Sequence, residues 1–315
     1  MAQRKVLFLV VLCALVIIPI AVFVLSRITS PQKENPRTPL ELVVQAIKKT
    51  EESPLKKITE KQLLGKNEEY GVVIKNLKTG ENFSLNENRE FQSASLYKLW
   101  VMAVAFQKIR SGQISEGEVL TGSVKVFDEI LSDETPTPSV TASSEPTIEP
   151  SPTGEKKINY SVGEAIEKMI IASDNYAALL VASRSGSFAV TNFLKEYQFD
   201  NSNFRQPPRT TAKDIGSFFE KLYKGEIIDQ NYSNKILDIL KRQTLNDRIP
   251  KYFPPKVNVA HKTGELNGFK HDAGIVYSSK GDYVIVILSE TKDPLGASEK
   301  IANFSKEIYD YFQEN

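Results

Sequence analysis

Phe91-Gln-Ser-Ala-Ser-Leu-Tyr-Lys-Leu-Trp-Val-Met-Ala-Val-Ala-Phe106 turns within a few residues from polar to almost wholly apolar, and it organises the reading of everything around it. Leu96 to Arg110 is long and mostly apolar, as expected for a buried helix, and Ser95 stands at its head. In Ser95-Leu-Tyr-Lys98, positions i and i+3 share a helix face, so the Lys98 amine can reach the Ser95 hydroxyl. A serine hydroxyl is a weak nucleophile that a neutral amine held dry beside it can activate. The partial positive charge of a helix N-terminus favours a developing anion there. The four-residue spacing alone says little, because 27 Ser and 30 Lys in 315 residues produce about 2.6 such matches by chance. Ser30-Pro-Gln-Lys33 and Ser53-Pro-Leu-Lys56 repeat it in polar stretches, with proline after the serine, and neither opens an apolar helix.

Two further strings follow in order. Ser173-Asp-Asn175 has a chance expectation of about 0.06 from 27 Ser, 12 Asp and 18 Asn, and occurs once. Lys-Thr-Gly occurs at Lys78 and at Lys262. The first is ordinary turn chemistry between two strand-like runs and precedes the other motifs; only Lys262-Thr263-Gly264 has the required order. For Lys98 to act as a base it must be deprotonated part of the time, and burial together with the charge of Lys262 pushes it that way. Ser173 can pass a proton towards a leaving nitrogen and Asn175 can hold position by hydrogen bonding. Ser173 and Asp174 also suit a helix-start cap, and both roles can hold at once.

Around these strings the chain falls into a pattern. Tyr70–Leu77 and Glu81–Leu85 read as a hairpin turning at Lys78-Thr79-Gly80. Thr38-Pro39-Leu40-Glu41 caps a helix through about Lys49, and Ser161-Val-Gly-Glu164 is a second capping box, for a helix to about Ile171. A helix from about Asn175 to Ser185 stops at Gly186, and amphipathic helices follow near 187–197, 212–223 and 233–243. Strands at Lys256–Thr263, His271–Ser278 and Tyr283–Ser289 precede a closing helix from about Ala297 to Phe312. Residues 132–157, rich in Pro, Ser, Thr and Glu and without an aromatic, cannot bury enough to fold alone and are expected to be a disordered insertion. The expected fold class is α/β, of α+β type. Its antiparallel sheet is built from both chain ends and flanked by helices, with an all-helical middle lobe, in one domain over residues 38–315.

Val6 to Leu25 is an unbroken apolar run after Arg4 and Lys5, with Pro19 inside it. Its 20 residues span roughly 30 Å as a helix, the thickness of a bilayer core. Residues 1–30 are therefore expected to be a membrane anchor, with 31–37 a tether and the remainder outside the cytoplasm. A cleaved signal peptide is the alternative. The net charge of +1, with no long basic run, argues against nucleic-acid binding. The lone Cys13 excludes an intrachain disulfide and a Cys-based zinc site, and His261 and His271 are too few for a His-rich metal centre. No metal or cofactor is expected, and the chain is expected to be a monomer. His261 precedes Lys262 on a strand and should point to the opposite face, as a packed or surface residue; His271 is read as structural.

The three ordered motifs resemble those of the class A β-lactamases and penicillin-binding proteins. The resemblance runs from about Thr38 to the C-terminus. It extends to Gly71-Val-Val-Ile-Lys-Asn-Leu77, Phe91–Leu99, Thr210-Thr211 before a helix, and His271-Asp-Ala-Gly-Ile-Val276. It implies Ser95 as acylated nucleophile, Lys98 as base, Ser173 as proton relay, and Lys262 with Thr263 at the substrate carboxylate. Asn175 and Gly264 complete their motifs at the substrate site. The backbone N–H groups of Ser95 and Glu265 would form the oxyanion hole. Arg248 resembles an arginine that some members place against the substrate carboxylate; a surface arginine is the other reading. One departure stands out. Fast members carry Glu-x-x-Leu-Asn between the second and third motifs, whereas Asp200–Thr211 holds no Glu. Glu196 falls on the preceding helix, where a solvated carboxylate is the default, and Glu265 would repel an anionic substrate if it faced the pocket. The resulting expectation is β-lactam opening through a Ser95 acyl-enzyme with slow deacylation. The alternatives are a D-Ala-D-Ala carboxypeptidase acting on cell-wall peptides, or a β-lactam- or peptidoglycan-binding module without turnover.

Overall fold

The computed structural model describes residues 53–65, 68–133, 148–150 and 156–315. The first half supplies α1 (Pro54–Leu63), β1 (Glu68–Asn76), β2 (Asn82–Leu85), β3 (Phe91–Gln92), a 3-10 turn (Ala94–Tyr97) and α2 (Lys98–Arg110). It continues with β4 (Val119–Ser123), α3 (Val124–Asp133), β5 (Ile148–Pro150), β6 (Lys156–Ser161), α4 (Val162–Ile171), α5 (Asn175–Ser185) and α6 (Ser187–Glu196). Then come β7 (Arg209–Thr210), α7 (Ala212–Tyr223), α8 (Gln230–Leu240), β8 (Val259–Leu266), β9 (Phe269–Val276), β10 (Tyr283–Thr291) and α9 (Pro294–Glu314).

The main sheet runs β2-β1-β10-β9-β8, antiparallel throughout, so strands from both chain ends do pair as the sequence suggests. Side-chain alternation divides its two faces. Val72, Ile74, Ile285 and Ile287 pack beneath α1 and α9 with Leu55, Ile301, Phe304 and Ile308. Val284, Val286 and Leu288 pack on the other face with Leu99, Val101 and Phe106 of α2 and with Ile215, Phe218 and Phe219 of α7. Because β10 is covered on both sides, it reads as a continuous apolar run rather than an alternating one. Deleting a core side chain such as Phe304 costs about 3–5 kcal/mol.

The helix starts are chemically explicit. Ser161 Oγ accepts from Glu164 N at 3.2 Å, Asp174 Oδ1 from Ala177 N at 2.7 Å and Thr211 Oγ1 from Asp214 N at 3.2 Å. Each satisfies one of the orphan donors of a first helical turn. Asp229 Oδ1 likewise accepts from Tyr232 N at 3.0 Å, which starts α8 a few residues earlier than the apolar periodicity suggests.

Three expectations need correction. First, β8 runs through Leu266 rather than ending at Thr263, because Leu266 and Phe269 pair across a two-residue Asn267-Gly268 turn, with Gly268 at φ 82°; Asn-Gly between apolar runs is itself a hairpin signal. Second, the middle of the chain is not all-helical as expected: β4, β6 and β5 form a small separate sheet, and β3 pairs with β7. β3, β5 and β7 are two or three residues long, too short for periodicity to reveal. Third, the 132–157 segment is not structureless throughout: α3 reaches Asp133, Ile148–Pro150 pairs with β6, and β6 begins at Lys156. An edge strand is held by backbone hydrogen bonds and tolerates proline, so composition alone misses it. Residues 134–147 and 151–155 lie outside the described residues. So do the apolar run 6–25, the tether 31–37, and the helix expected from Thr38 to Lys49. Among the described residues no helix is long and apolar enough to cross a membrane.

Candidate active site

The nucleophile candidate sits at a junction of two helix types. Ser95 lies half-buried in the 3-10 turn, and α2 begins only at Lys98, whose backbone N–H donates to the Ser95 carbonyl. The sequence places Ser95 at the head of an α-helix; the structure inserts one tighter turn first. Ala94, just before it, has φ 45°, a left-handed conformation that costs an alanine about 1–2 kcal/mol. Such strain persists only where surrounding contacts impose it. Two of these are Ser93 N donating to Pro208 O at 2.8 Å, and β8 on the other side. A Cβ on Gly264 would lie 3.3 Å from the Ala94 Cβ and 3.1 Å from the His271 ring. Glycine at the end of the third motif is thus what lets β8 approach the Ser95 turn.

The three motifs meet around one hydroxyl. Lys98, fully buried, donates from Nζ to Ser173 O and Asn175 Oδ1, both at 2.7 Å, and to Ser173 Oγ at 3.2 Å. Lys262, also fully buried, donates to the same Ser173 Oγ at 3.0 Å and to Thr263 O at 2.9 Å. Ser173 is held at φ 57° between α4 and α5, which turns its carbonyl and hydroxyl together onto Lys98. Burial, and next the charge of Lys98, hold the Lys262 amine well below the usual lysine range. The lysine–lysine coupling expected from the sequence is present at Lys262.

The remaining candidates pair with each other. Arg248 is only 2% exposed, so it is not a surface arginine. Its NH2 donates to Glu265 Oε2 at 2.6 Å and its NH1 to His271 O at 3.3 Å. Lys270, which sequence reasoning passed over, pairs with the same Glu265 oxygen. Glu265 therefore does not present a bare negative charge, as its position after the third motif suggested; two cations neutralise it. Strand alternation on β9, with Lys270 across from Glu265 in register, was the available signal.

The histidines hold the frame. His261 is buried on the face opposite Lys262, bonded to Asp272 through Nδ1 (2.9 Å) with Nε2 3.1 Å from Asn246. Asp272 also accepts from Ile249 N at 3.0 Å, which fixes the segment bearing Arg248. His271 accepts from Ser289 N at 3.1 Å and donates from Nε2 to Gln92 O at 2.8 Å. Burial pushes it down to about 4, so it is a neutral structural residue.

The loop after α6 is tied down at both ends. Asp214, itself raised by burial, accepts from Asn201 N at 2.9 Å and Ser202 Oγ at 2.8 Å. Phe204 packs against Tyr97 with ring centroids 5.7 Å apart. Glu196 lies exposed at the end of α6, accepting from Gln107 Nε2 at 3.2 Å.

Comparison with known proteins identifies the family to which this fold belongs. The model of the Beta-lactamase enzyme family matches residues 54–312. The chain belongs to that family. It is a serine hydrolase of the class A β-lactamase type. Beta-lactamase VEB-1 of Pseudomonas aeruginosa is 23% identical over 284 residues, covering 80% of this chain and 88% of the relative. Among solved structures, PBP-A superposes with a TM-score of 0.70 at 24% identity, covering 83% of this β-lactamase-family chain and 96% of its own. A β-lactamase from Sphaerobacter thermophilus gives the same TM-score at 19% identity, over 83% and 97% of the two chains. One PBP-A mutant structure is an acyl-enzyme complex with penicillin G.

Proposed function

We propose that the protein opens β-lactams by acylating Ser95 and releases the acyl group slowly. The observation that carries this reading is the shared Ser173 hydroxyl, hydrogen-bonded by Lys98 and Lys262 at once. A hydroxyl donates one proton and accepts at two lone pairs. Set between two amines, it can take a proton from one side and deliver one on the other. Lys98 draws the Ser95 proton as the oxygen attacks the lactam carbonyl; Ser173 relays a proton to the departing nitrogen. The Ser95 and Glu265 backbone N–H groups receive the oxyanion. Lys262 and Thr263 face the substrate carboxylate, and Asn175 holds Lys98 in place.

Slow release follows from what the loop lacks. Hydrolysis of the ester requires a water that is held and deprotonated. Asp200–Thr211 contributes no Glu, Gln206 offers an amide that can orient water without taking its proton, and Phe204 rather than a carboxylate covers Tyr97. Glu196 and Glu265 are both engaged elsewhere. The D,D-peptidase reading uses the same groups, and the likeness to PBP-A favours keeping it as the second one. Intact-mass measurement after incubation with penicillin tests the first. Ser95→Ala is expected to abolish the adduct, while Ser30→Ala and Ser53→Ala retain it. A persisting adduct on Ser95→Ala overturns the assignment.

A further inference from the structure

The segment after α8 bonds to both of the parts that meet at the Ser173 hydroxyl, and the acylation steps above make no use of it. Its first contact is with α4. Gln243 is only 5% exposed and donates from Nε2 to Ile170 O at 2.9 Å. Its Oε1 accepts from Thr244 N at 2.9 Å and Leu245 N at 3.0 Å, so the buried amide is used at both ends. Thr244 reaches the next carbonyl, with N at 3.0 Å and Oγ1 at 2.9 Å from Ile171 O. These carbonyls belong to the last turn of α4 and have no N–H partner within the helix. Two residues on, Ser173 stands at φ 57°, a left-handed conformation that persists only where neighbouring contacts impose it. The second contact is with the sheet. Asn246 Oδ1 lies 3.1 Å from His261 Nε2, one residue before Lys262 on β8, and Ile249 N donates to Asp272 on β9. Between Gln243 and Ile249 the chain is therefore fastened both to the carrier of Ser173 and to the strand that carries Lys262. Ser173 Oγ and Lys262 Nζ, 3.0 Å apart, lie on the two parts so joined. A hydrogen bond weakens steeply as its distance and angle drift, so the relay depends on how these parts are held.

We infer that Gln243, with Thr244, is a positioning residue for acyl transfer, fixing the Ser173 turn where its hydroxyl meets Lys98 and Lys262 together. This rests on the reading of Ser95 acylation proposed above. In that step the Ser95 Oγ–carbon bond forms and the lactam carbon–nitrogen bond breaks. The Ser95 proton passes to Lys98, and Ser173 gives its own proton to the nitrogen and regains one from Lys98. Gln243 and Thr244 bond to Ile170 and Ile171 and not to the reacting atoms, so they act through Ser173.

A double-mutant cycle on the second-order acylation of Ser95 by benzylpenicillin tests this, with intact mass read on the full chain and thermal unfolding verifying that each variant is folded. Misplacing a catalytic group by about 1 Å costs on the order of a hundredfold, so Gln243→Ala is expected to lower the rate by about tenfold to a hundredfold. Thr244→Val, at an exposed position that keeps the backbone bond to Ile171 O, is expected to lower it by about threefold or more. In a Ser173→Ala background, followed over longer incubation, Gln243→Ala is expected to change the rate by less than about twofold, because the partner it acts through is gone. A purely structural role would cost the same factor in both backgrounds. The same cycle run with Thr244→Val serves if Gln243→Ala does not fold. Ser233→Ala removes another buried hydrogen bond of α8, to Ile227 O at 2.8 Å, and is expected to leave the rate within about twofold. Equal factors in the two backgrounds, an unchanged rate in the folded variants, or an equal loss in Ser233→Ala overturns the inference while leaving Ser95 acylation standing. Failure of benzylpenicillin to label the native protein overturns the functional reading and this inference with it.

Discussion

Mixing the protein with excess penicillin in a stopped-flow instrument is expected to give a burst equal to the enzyme concentration, followed by a slow steady state. On the proposed reading acylation has its full set of groups, since Lys98, Ser173 and Lys262 form one hydrogen-bonded array beside the Ser95 turn. Release does not. General-base assistance is typically worth 10²–10⁴-fold, and each tenfold is about 1.36 kcal/mol, so its loss raises the deacylation barrier by about 3–5 kcal/mol. The place to restore it is Gln206, an exposed loop amide two residues from Pro208, whose carbonyl is bound by Ser93 N at 2.8 Å just ahead of Ser95. Gln206→Glu is expected to shorten the acyl-enzyme lifetime at least tenfold, with the burst amplitude unchanged. Glu196→Gln is expected to leave the lifetime within twofold, because Glu196 faces Gln107 at the surface. Fast multiple turnover by the native protein, with no accumulated acyl-enzyme, would contradict slow release. A lifetime that lengthens a hundredfold in Glu196→Gln would make Glu196 the deacylation base and refute its placement as a solvated surface carboxylate.

The buried His271 should make stability fall in acid. Its value drops from 6.5 to about 4 on folding, so its contribution is complete above pH 6.5 and is lost as pH falls towards 4, at about 1.4 kcal/mol per unit and about 3 kcal/mol in all. Denaturant unfolding of the native protein and His271→Asn at pH 7 and pH 4.5 checks this through the difference in slope, and equal slopes would rule it out. Because Lys262 sits well below the ordinary lysine range, its charge is present at lower pH and lost as pH rises through that depressed value. Acylation by free-acid penicillins should therefore decline on the alkaline side earlier than an ordinary lysine would dictate, and Lys262→Arg should move that limb upward; a limb that stays put assigns it to another group. The apolar run Val6–Leu25 should keep the full chain in the membrane fraction after carbonate washing, whereas a shorter released chain, read by N-terminal sequencing, would indicate signal cleavage.

The order of the motifs, the helices of the middle lobe and the strands at both ends could be read from the residues themselves. These are local or periodic properties. Capping at Ser161 and Thr211, the stop at Gly186, and the apolar runs of Leu96–Arg110 and Tyr283–Ser289 are each written within a few residues of chain. The missing loop glutamate was legible too, because absence from a short segment needs no folding to be seen. How charges are shared was settled by the folded chain alone. Glu265 looked like a repulsive carboxylate, and a surface place for Arg248 stood open, until β9 set Lys270 opposite Glu265 and the two cations closed on it. The convergence of Lys98 and Lys262 on Ser173 Oγ joins residues 75 and 89 positions apart. A pKa or an ion pair depends on distance and burial, both set by chain segments remote in sequence, and neither is encoded in the neighbours of the residue concerned.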